Sequence, residues 1–102
     1  MQIATTVTGS KAVLNLNGRF DFHSHSEFRT AYENALNMPA VRDLSISFNN
    51  VDYLDSSALG MLLLLREKAD ALGKTVSLDG LHGMVKQVLE IANFSKLFAV
   101  ND

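Results

Sequence analysis

The chain has 102 residues, of which 47% are hydrophobic and 20% are charged, a balance typical of one globular domain spanning residues 1–102. Eleven acidic residues against nine basic ones give a net charge of −2, and no basic cluster favours nucleic acid as a partner. The absence of cysteine excludes disulfides and thiol nucleophiles, and no apolar run approaches the roughly 20 residues that cross a bilayer, so we expect a soluble cytoplasmic protein without membrane insertion.

The chain opens with a pattern typical of a β-hairpin. Residues 3–8 and 11–17 are rich in side chains that favour strands, and a Gly-Ser pair connects them. The Asn-Gly pair at 17–18 predicts the end of the second strand, and a loop is expected over residues 19–22.

A helix and a third strand are predicted next. The helix begins at Ser24 or Ser26, which can serve as N-cap, and runs to about residue 37, before Pro39. Its apolar stripe consists of Phe28, Ala31, Tyr32, Ala35 and Leu36. Residues 42–48 then alternate, with Leu44, Ile46 and Phe48 on one side and Ser45 and Ser47 on the other.

The second half of the chain continues the alternation of helices and strands. We expect a helix from Asp55 or Ser56 to about residue 72, a strand over 74–78, a loop over 79–83, a helix over 84–92 and a short strand over 97–100. The order ββαβαβαβ predicts an α/β fold, with a mixed, mostly parallel sheet opened by the hairpin and about three helices packed on it.

The middle helix places a serine on its outer surface. At about 100° per residue, an inward face contains Ala58, Leu62, Leu65, Ala69 and Leu72. Ser56 lies nearly opposite, on the side of Gly60 and Leu63, and either Leu59 or Leu64 adds further apolar surface. One interpretation is that Asp55 and the two serines cap the helix and have no further role. Alternatively, an exposed hydroxyl at a helix N-terminus could accept a phosphate, which free N–H groups and the helix dipole favour.

The stretch from Val51 to Gly60, VDYLDSSALG, resembles the phosphorylation motif of anti-sigma factor antagonists, the single-domain STAS proteins of bacterial partner switching. Residues 17–21, 74–78 and 83–92 resemble further elements of that family. Many relatives have glycine where this chain has Ala58, a position that the helix spacing turns inward.

The resemblance implies a phosphorylation switch at Ser56. The kinase would be a GHKL-type serine kinase that doubles as anti-sigma factor or another sequestering protein, and a PP2C-type phosphatase would reset the switch. Ser57 would support the helix start, and Asp21 would help to present Ser56. The implied partner-binding residues are Asp21, Asp55, Ser56, Ser57, Leu59, Gly60 and Leu63. We expect the protein to be a monomer, and the downstream output remains open.

Functions of other classes are less well supported by the sequence. Asp21, His23 and His25 alternate and could face one side as metal ligands if this segment were extended, although water-facing histidines are the better interpretation. We find no G-x-S-x-G elbow, Walker motif or kinase signature, so we expect neither an enzyme nor a bound cofactor. A constitutive STAS subunit of a transporter or sensor, without a switch, is the alternative within the same fold.

Overall fold

The computed structural model describes residues 1–101 and shows five strands and three α-helices in the expected order. The strands are β1 Gln2–Thr8, β2 Lys11–Phe20, β3 Asp43–Leu54, β4 Thr75–Asp79 and β5 Ala99–Asn101. The helices are α1 His25–Leu36, α2 Ser56–Ala71 and α3 Gly83–Ile91. Short 3₁₀ helices cover Phe22–Ser24 and Phe94–Lys96.

The five strands form one sheet in the order β1-β2-β3-β4-β5. β1 pairs antiparallel with β2, and every later pair is parallel. Because parallel crossovers are right-handed and the strand order never reverses, the three α-helices lie on the same face of the sheet. The predicted α/β class, with a hairpin followed by a parallel sheet, is confirmed.

The hydrophobic core lies between that face and the helices. Alternate residues of the central strands, such as Leu14, Ile46 and Leu78, are fully buried there. In α2, the predicted inward residues Ala58, Leu62, Leu65 and Ala69 are all at most 1% exposed. Leu72 is an exception, with 45% exposure, because the helix ends at Ala71 and Leu72 is its C-cap.

Among residues 1–101, no helix lies over the opposite face of the sheet, which bears small polar side chains. Ser45 and Ser47 point to this face, yet they are only 0% and 8% exposed, since neighbouring strands flank them. The Ser45 hydroxyl donates a hydrogen bond to Asp79 on β4. The buried Ser45 hydroxyl therefore has a hydrogen-bond partner on this face of the sheet.

Two strands are longer than the sequence predicts. β2 continues through the Asn-Gly pair to Phe20, and β3 continues beyond Phe48 to Leu54. Gly18 has a φ of +114°, a backbone conformation that glycine adopts far more readily than other residues. The register between β2 and β3 shifts near this residue, so the two strands stay paired on both sides of a local irregularity. The loop predicted over residues 19–22 is therefore wrong for Arg19 and Phe20.

The last strand begins at Ala99 rather than at residue 97. Asn93, at φ 60°, turns the chain after α3 into the 3₁₀ helix Phe94–Lys96, which occupies part of the segment expected to be extended. Phe94 and Phe98 stack at 5.5 Å between ring centroids and anchor this turn against the core.

Candidate functional site

Asp55 alone connects β3 to α2 and caps the helix. Its backbone is extended, and Oδ1 accepts hydrogen bonds from the backbone N–H of Ser57 at 3.0 Å and of Ala58 at 3.2 Å. The Ser57 hydroxyl donates to the same oxygen. These contacts satisfy donors that every helix start leaves free, so the interpretation of Asp55 and Ser57 as capping residues is supported.

The second oxygen of Asp55 holds the loop that follows β2. Oδ2 accepts a hydrogen bond from the backbone N–H of Phe22 at 3.1 Å, and the Asp55 N–H donates to the carbonyl oxygen of Phe20 at 3.2 Å. These two hydrogen bonds hold the backbone of residues 20–22 against Asp55, which is more than 30 residues away in sequence. Asp55 joins the start of α2 to the loop that contains Asp21.

These hydrogen bonds stabilise the ionised form of the Asp55 carboxyl. The Ser57 hydroxyl is the largest influence that lowers the pKa of Asp55, partial desolvation acts in the opposite direction, and the backbone N–H groups of Phe22, Ala58 and Ser57 lower it further. Asp55 is therefore a carboxylate at neutral pH. A second negative group added beside it would increase the local negative charge.

Ser56 is the first residue of α2, and it is exposed. Unlike Ser57, it has no hydrogen-bond partner for its hydroxyl among residues 1–101. The helix spacing in the sequence predicts this exposed position. The oxygen is accessible to a modifying enzyme, and the positive end of the α2 dipole would tolerate a phosphate there.

The outer face of α2 on which Ser56 lies also bears apolar side chains. Leu59 is half-buried, Leu63 is 40% exposed, and Gly60, about one turn after Ser56, is exposed as well. A Cβ added at Gly60 would meet no atom within 4 Å, so the glycine leaves the helix surface open. Phe22, whose backbone N–H bonds to the adjacent Asp55, is 70% exposed. We call Phe22, Ser56, Leu59, Gly60 and Leu63 the Ser56 surface.

The aromatic ring of Phe22 is the part of this surface that the sequence did not indicate. The sequence predicts Phe22 in a loop and gives it no role, whereas its backbone N–H bonds to Asp55, the residue directly before Ser56. Its ring meets the His23 ring edge-on at 5.6 Å between centroids. The available signal was an aromatic residue between polar neighbours in a loop, which burial does not explain.

Asp21 organises the loop itself. Its Oδ1 accepts a hydrogen bond from the His23 N–H at 3.0 Å, and its Oδ2 lies 3.6 Å from Arg19 Nε. The Arg19 guanidinium in turn lies 4.0 Å from the centroid of the Tyr53 ring on β3. Asp21 thus organises the loop that contains Phe22, and a role for Asp21 in presenting Ser56 stays a prediction.

The arrangement that a metal site would need is not formed. Residues 22–24 are a 3₁₀ helix and His25 begins α1, so Asp21, His23 and His25 do not alternate along an extended segment. Across residues 1–101, no group of three or more His, Asp or Glu side chains is placed to hold an ion. Ser24, at the same turn, is buried and donates to the Arg19 carbonyl oxygen at 2.9 Å rather than capping α1.

Comparison with solved structures identifies the same architecture in anti-sigma factor antagonists. A putative anti-sigma factor antagonist from Thermotoga maritima superposes with a TM-score of 0.88 at 17% identity, covering 98% of this chain and 86% of that one. The phosphorylated form of the Bacillus cell fate determinant SpoIIAA gives 0.74 at 20% identity, covering 97% and 90%. STAS domains of sulfate and SulP transporters share the fold too.

Sequence comparison agrees with this result. The chain is 42% identical over 93 residues to the STAS-domain containing protein PA14_20770 of Pseudomonas aeruginosa strain UCBPP-PA14, covering 91% of this chain and 90% of that protein. Within residues 1–101, no helix combines the length and apolar character needed to cross a bilayer. The family model described as "Mlab, STAS domain" matches residues 3–99. The chain therefore belongs to the STAS domain family.

Proposed function

We propose that this protein is a phosphorylation-controlled binding regulator of the anti-sigma factor antagonist type. In its unmodified form it binds a GHKL-type serine kinase, or a related sequestering protein, through the Ser56 surface together with Asp21, Asp55 and Ser57. Binding releases the target that the partner holds. Phosphorylation of Ser56 ends the binding, and a PP2C-type phosphatase restores it.

The observation that carries the proposal is the contrast between the two adjacent serines. The Ser57 hydroxyl is engaged with Asp55, whereas Ser56 is exposed and its hydroxyl has no hydrogen-bond partner among residues 1–101. A helix cap explains Ser57 completely and leaves Ser56 without a structural task. An exposed hydroxyl on a helix face that also bears Leu59 and Leu63, with the exposed Phe22 on the adjoining loop, fits a site that a partner both covers and modifies.

One phosphate supplies enough free energy for the switch. It adds about −1.5 to −2 charges at neutral pH. A hundredfold loss of affinity requires about 2.7 kcal/mol, whereas an unpaired charge buried at an interface costs about 3–5 kcal/mol. The neighbouring Asp55 carboxylate increases the repulsion, since its lowered pKa keeps it ionised.

The switch requires no rearrangement of the fold. Ser56 is exposed, whereas Ala58 and Leu62 are fully buried on other faces of α2, so a group attached to Ser56 can extend into solvent. A dianion at a helix N-terminus is also compatible with the helix dipole. Phosphorylation therefore acts by covering the apolar surface and by repelling the partner.

The test begins with the cognate GHKL-type kinase, ATP and mass spectrometry of the protein. We expect one phosphate, on Ser56, in wild type and in Ser57→Ala, and none in Ser56→Ala. Ser56→Asp should weaken binding to the kinase at least tenfold, and Ser56→Ala should keep the protein permanently in its binding form.

Ser95→Asp is the matched control for the added charge. Ser95 is exposed in the 3₁₀ helix after α3, so the substitution adds the same charge away from the Ser56 surface and should leave binding unchanged. Equal loss of binding in Ser56→Asp and Ser95→Asp would contradict the proposal. Binding without phosphate on Ser56 would favour a constitutive STAS subunit of a transporter or sensor.

A further inference from the structure

The first strand forms one edge of the sheet and is open along its outer side. β1 has seven residues, of which six are exposed. It pairs with β2 in an unbroken register from Gln2 opposite Asn17 to Thr8 opposite Lys11. The backbone N–H and C=O groups that point away from β2 are thus available in a straight row, which is a template for another strand.

This edge has none of the usual protection against pairing. The sequence of β1, QIATTVT, contains no charged residue and no proline, and its register has no bulge. The opposite edge differs, since β5 has only three residues. Short edge strands are themselves a protective device. The two edges are therefore unequal, and β1 is the one open to pairing.

The sequence of β1 is complementary to itself in an antiparallel register. A two-fold axis through Thr5 pairs Ile3 with Val7 of the other copy, Ala4 with Thr6 and Gln2 with Thr8. Ile3 packs against the core and Val7 is 45% exposed, and both lie on the helix-bearing face with Thr5. Self-pairing would cover Val7 and extend the apolar layer.

The position of α1 leaves room for a second copy of β1 to approach this edge. A groove between β1 and α1 is lined by Ile3, Thr5 and Ala31 together with the polar residues Ser26, Glu27, Thr30 and Asn34. As the crossover helix after β2, α1 runs parallel to β1. A two-fold axis at Thr5 would therefore bring Glu27 of one copy towards Asn34 of the other, so that the two glutamates are kept apart.

In contrast to the monomer expected from the sequence, we propose that β1 is a self-association edge, at which a second copy of this chain adds its own β1 in antiparallel fashion. The two five-stranded sheets would then join into one sheet, with all helices on the same side. Both β1 edges would be used, so the assembly closes as a symmetric dimer. The proposal is independent of the phosphorylation switch, because β2 separates β1 from β3, which leads to Ser56.

The dimer should be weak. Seven residues a side are far fewer than the roughly 20–30 a side of a standard stable interface. We expect the sedimentation coefficient of wild-type protein to increase with concentration. Thr5→Lys and Thr5→Glu, which place like charges opposite each other at the axis, should each raise the dimer dissociation constant at least tenfold. An equimolar mixture of the two variants should dimerise again.

Ala99→Lys is the matched control on the other edge, where Ala99 is exposed on β5, and it should behave as wild type. Circular dichroism should show the same fold for all variants. A monomer at every concentration up to about 1 mM would overturn the proposal. So would a dimer that Thr5→Lys leaves unchanged, since it would use another surface.

The absence of cysteine permits a second readout. Thr5→Cys introduces a single thiol at the proposed axis, where the Cβ atoms of directly opposed residues are about 4.5–5.5 Å apart. A disulfide needs about 3.5–4.5 Å, so a small shift of the two strands would allow the bond to form. Mild oxidation should crosslink Thr5→Cys at least ten times faster than the control Ala99→Cys. Equal rates in the two variants would contradict a β1 interface.

Discussion

At the scale of single residues, Asp55 determines how the candidate site is built. One carboxylate oxygen caps α2 and the other holds the Phe22 backbone, so a single side chain fixes both the helix start and the loop beside it. Ser57 assists the cap, and Ser56 is left exposed. The arrangement explains why an acid and two hydroxyls stand directly before an apolar helix.

The lowered pKa of Asp55 makes a contribution to stability that depends on pH. Because the folded pKa lies below the unfolded value of about 3.9, the contribution is present above that value and is lost as the pH falls through the folded pKa. Asp55→Asn, which retains a capping oxygen, removes it. We expect the difference in the free energy of unfolding between wild type and Asp55→Asn to be constant from about pH 5 to 7 and to shrink below about pH 4.

Urea titrations of both proteins at several pH values measure this difference. The two proteins should share the same unfolding slope, so that only the midpoint changes. A difference that persists unchanged in acid, or that varies between neutral pH and pH 5, would contradict the assignment to the Asp55 carboxylate.

Phe22 should contribute more to partner binding than to stability. Its ring is 70% exposed, so Phe22→Ala removes little buried surface. Exposed aromatic residues within an interface are frequent hot spots, and their truncation costs 1–2 kcal/mol or more. We expect Phe22→Ala to weaken binding of the cognate kinase about tenfold or more, measured by calorimetry, with an unchanged melting temperature.

Ile91→Ala is the control for Phe22→Ala, because Ile91 is 82% exposed at the end of α3. α3 starts after the carboxyl end of β4 and runs back along the sheet, so Ile91 lies towards the end opposite Ser56. Equal binding losses in the two variants would show that Phe22 has no particular role.

At the scale of elements, β3 and the turn after β4 are fitted to each other. Gly80 has a φ of +71°, and a Cβ built on it would overlap the side chain of Asn49 on β3. His82 Nε2 lies 3.2 Å from the carbonyl oxygen of the same Asn49. The turn therefore requires glycine both for its backbone conformation and for its close approach to β3.

Gly80→Ala should destabilise the protein more than Gly9→Ala. Both residues have positive φ, so both substitutions incur a conformational cost of about 1–2 kcal/mol. Only at Gly80 does the new methyl group meet another side chain, since nothing lies within 4 Å of a Cβ at Gly9. Denaturant unfolding should show the larger loss for Gly80→Ala by at least about 1 kcal/mol; equal losses would mean that Asn49 moves aside freely.

At the scale of the whole molecule, three phenylalanines connect the core to the site. The Phe20 ring lies 4.8 Å from that of Phe28 on α1 and 6.2 Å from that of Phe48 on β3, measured between centroids. All three are fully buried. Because the Phe20 carbonyl oxygen accepts the Asp55 N–H, packing in the core also positions the start of α2.

Phe20→Ala should lower the free energy of unfolding by about 3–5 kcal/mol, the usual cost of removing a buried aromatic ring. That is a large part of the total stability of a typical domain. Phe20→Leu, which retains much of the volume, should cost clearly less. Urea unfolding followed by circular dichroism measures both free energies. Equal small losses in the two variants would contradict a structural role for the buried Phe20 ring.

The elements with strong periodicity could be predicted from the sequence, whereas the strand ends could not. The buried face of α2 follows from the spacing of Ala58, Leu62 and Leu65, and so does the exposure of Ser56. The extension of β2 to Phe20 depends on pairing with β3, which no local pattern reveals. Asn-Gly is a turn signal in isolation, but the ladder on both sides of Gly18 overrides it.

Local chemistry in the sequence determined the order of the elements, the inward face of α2 and the exposed serine at its start, because helix and strand periods set which side chains face the core. Tertiary structure alone decided that the Phe22 backbone meets Asp55 and that β1 is an open edge. These features depend on contacts between residues more than 30 positions apart, or on the order of strands in the sheet. Hydrogen bonds and packing between distant segments form only once the sheet is assembled.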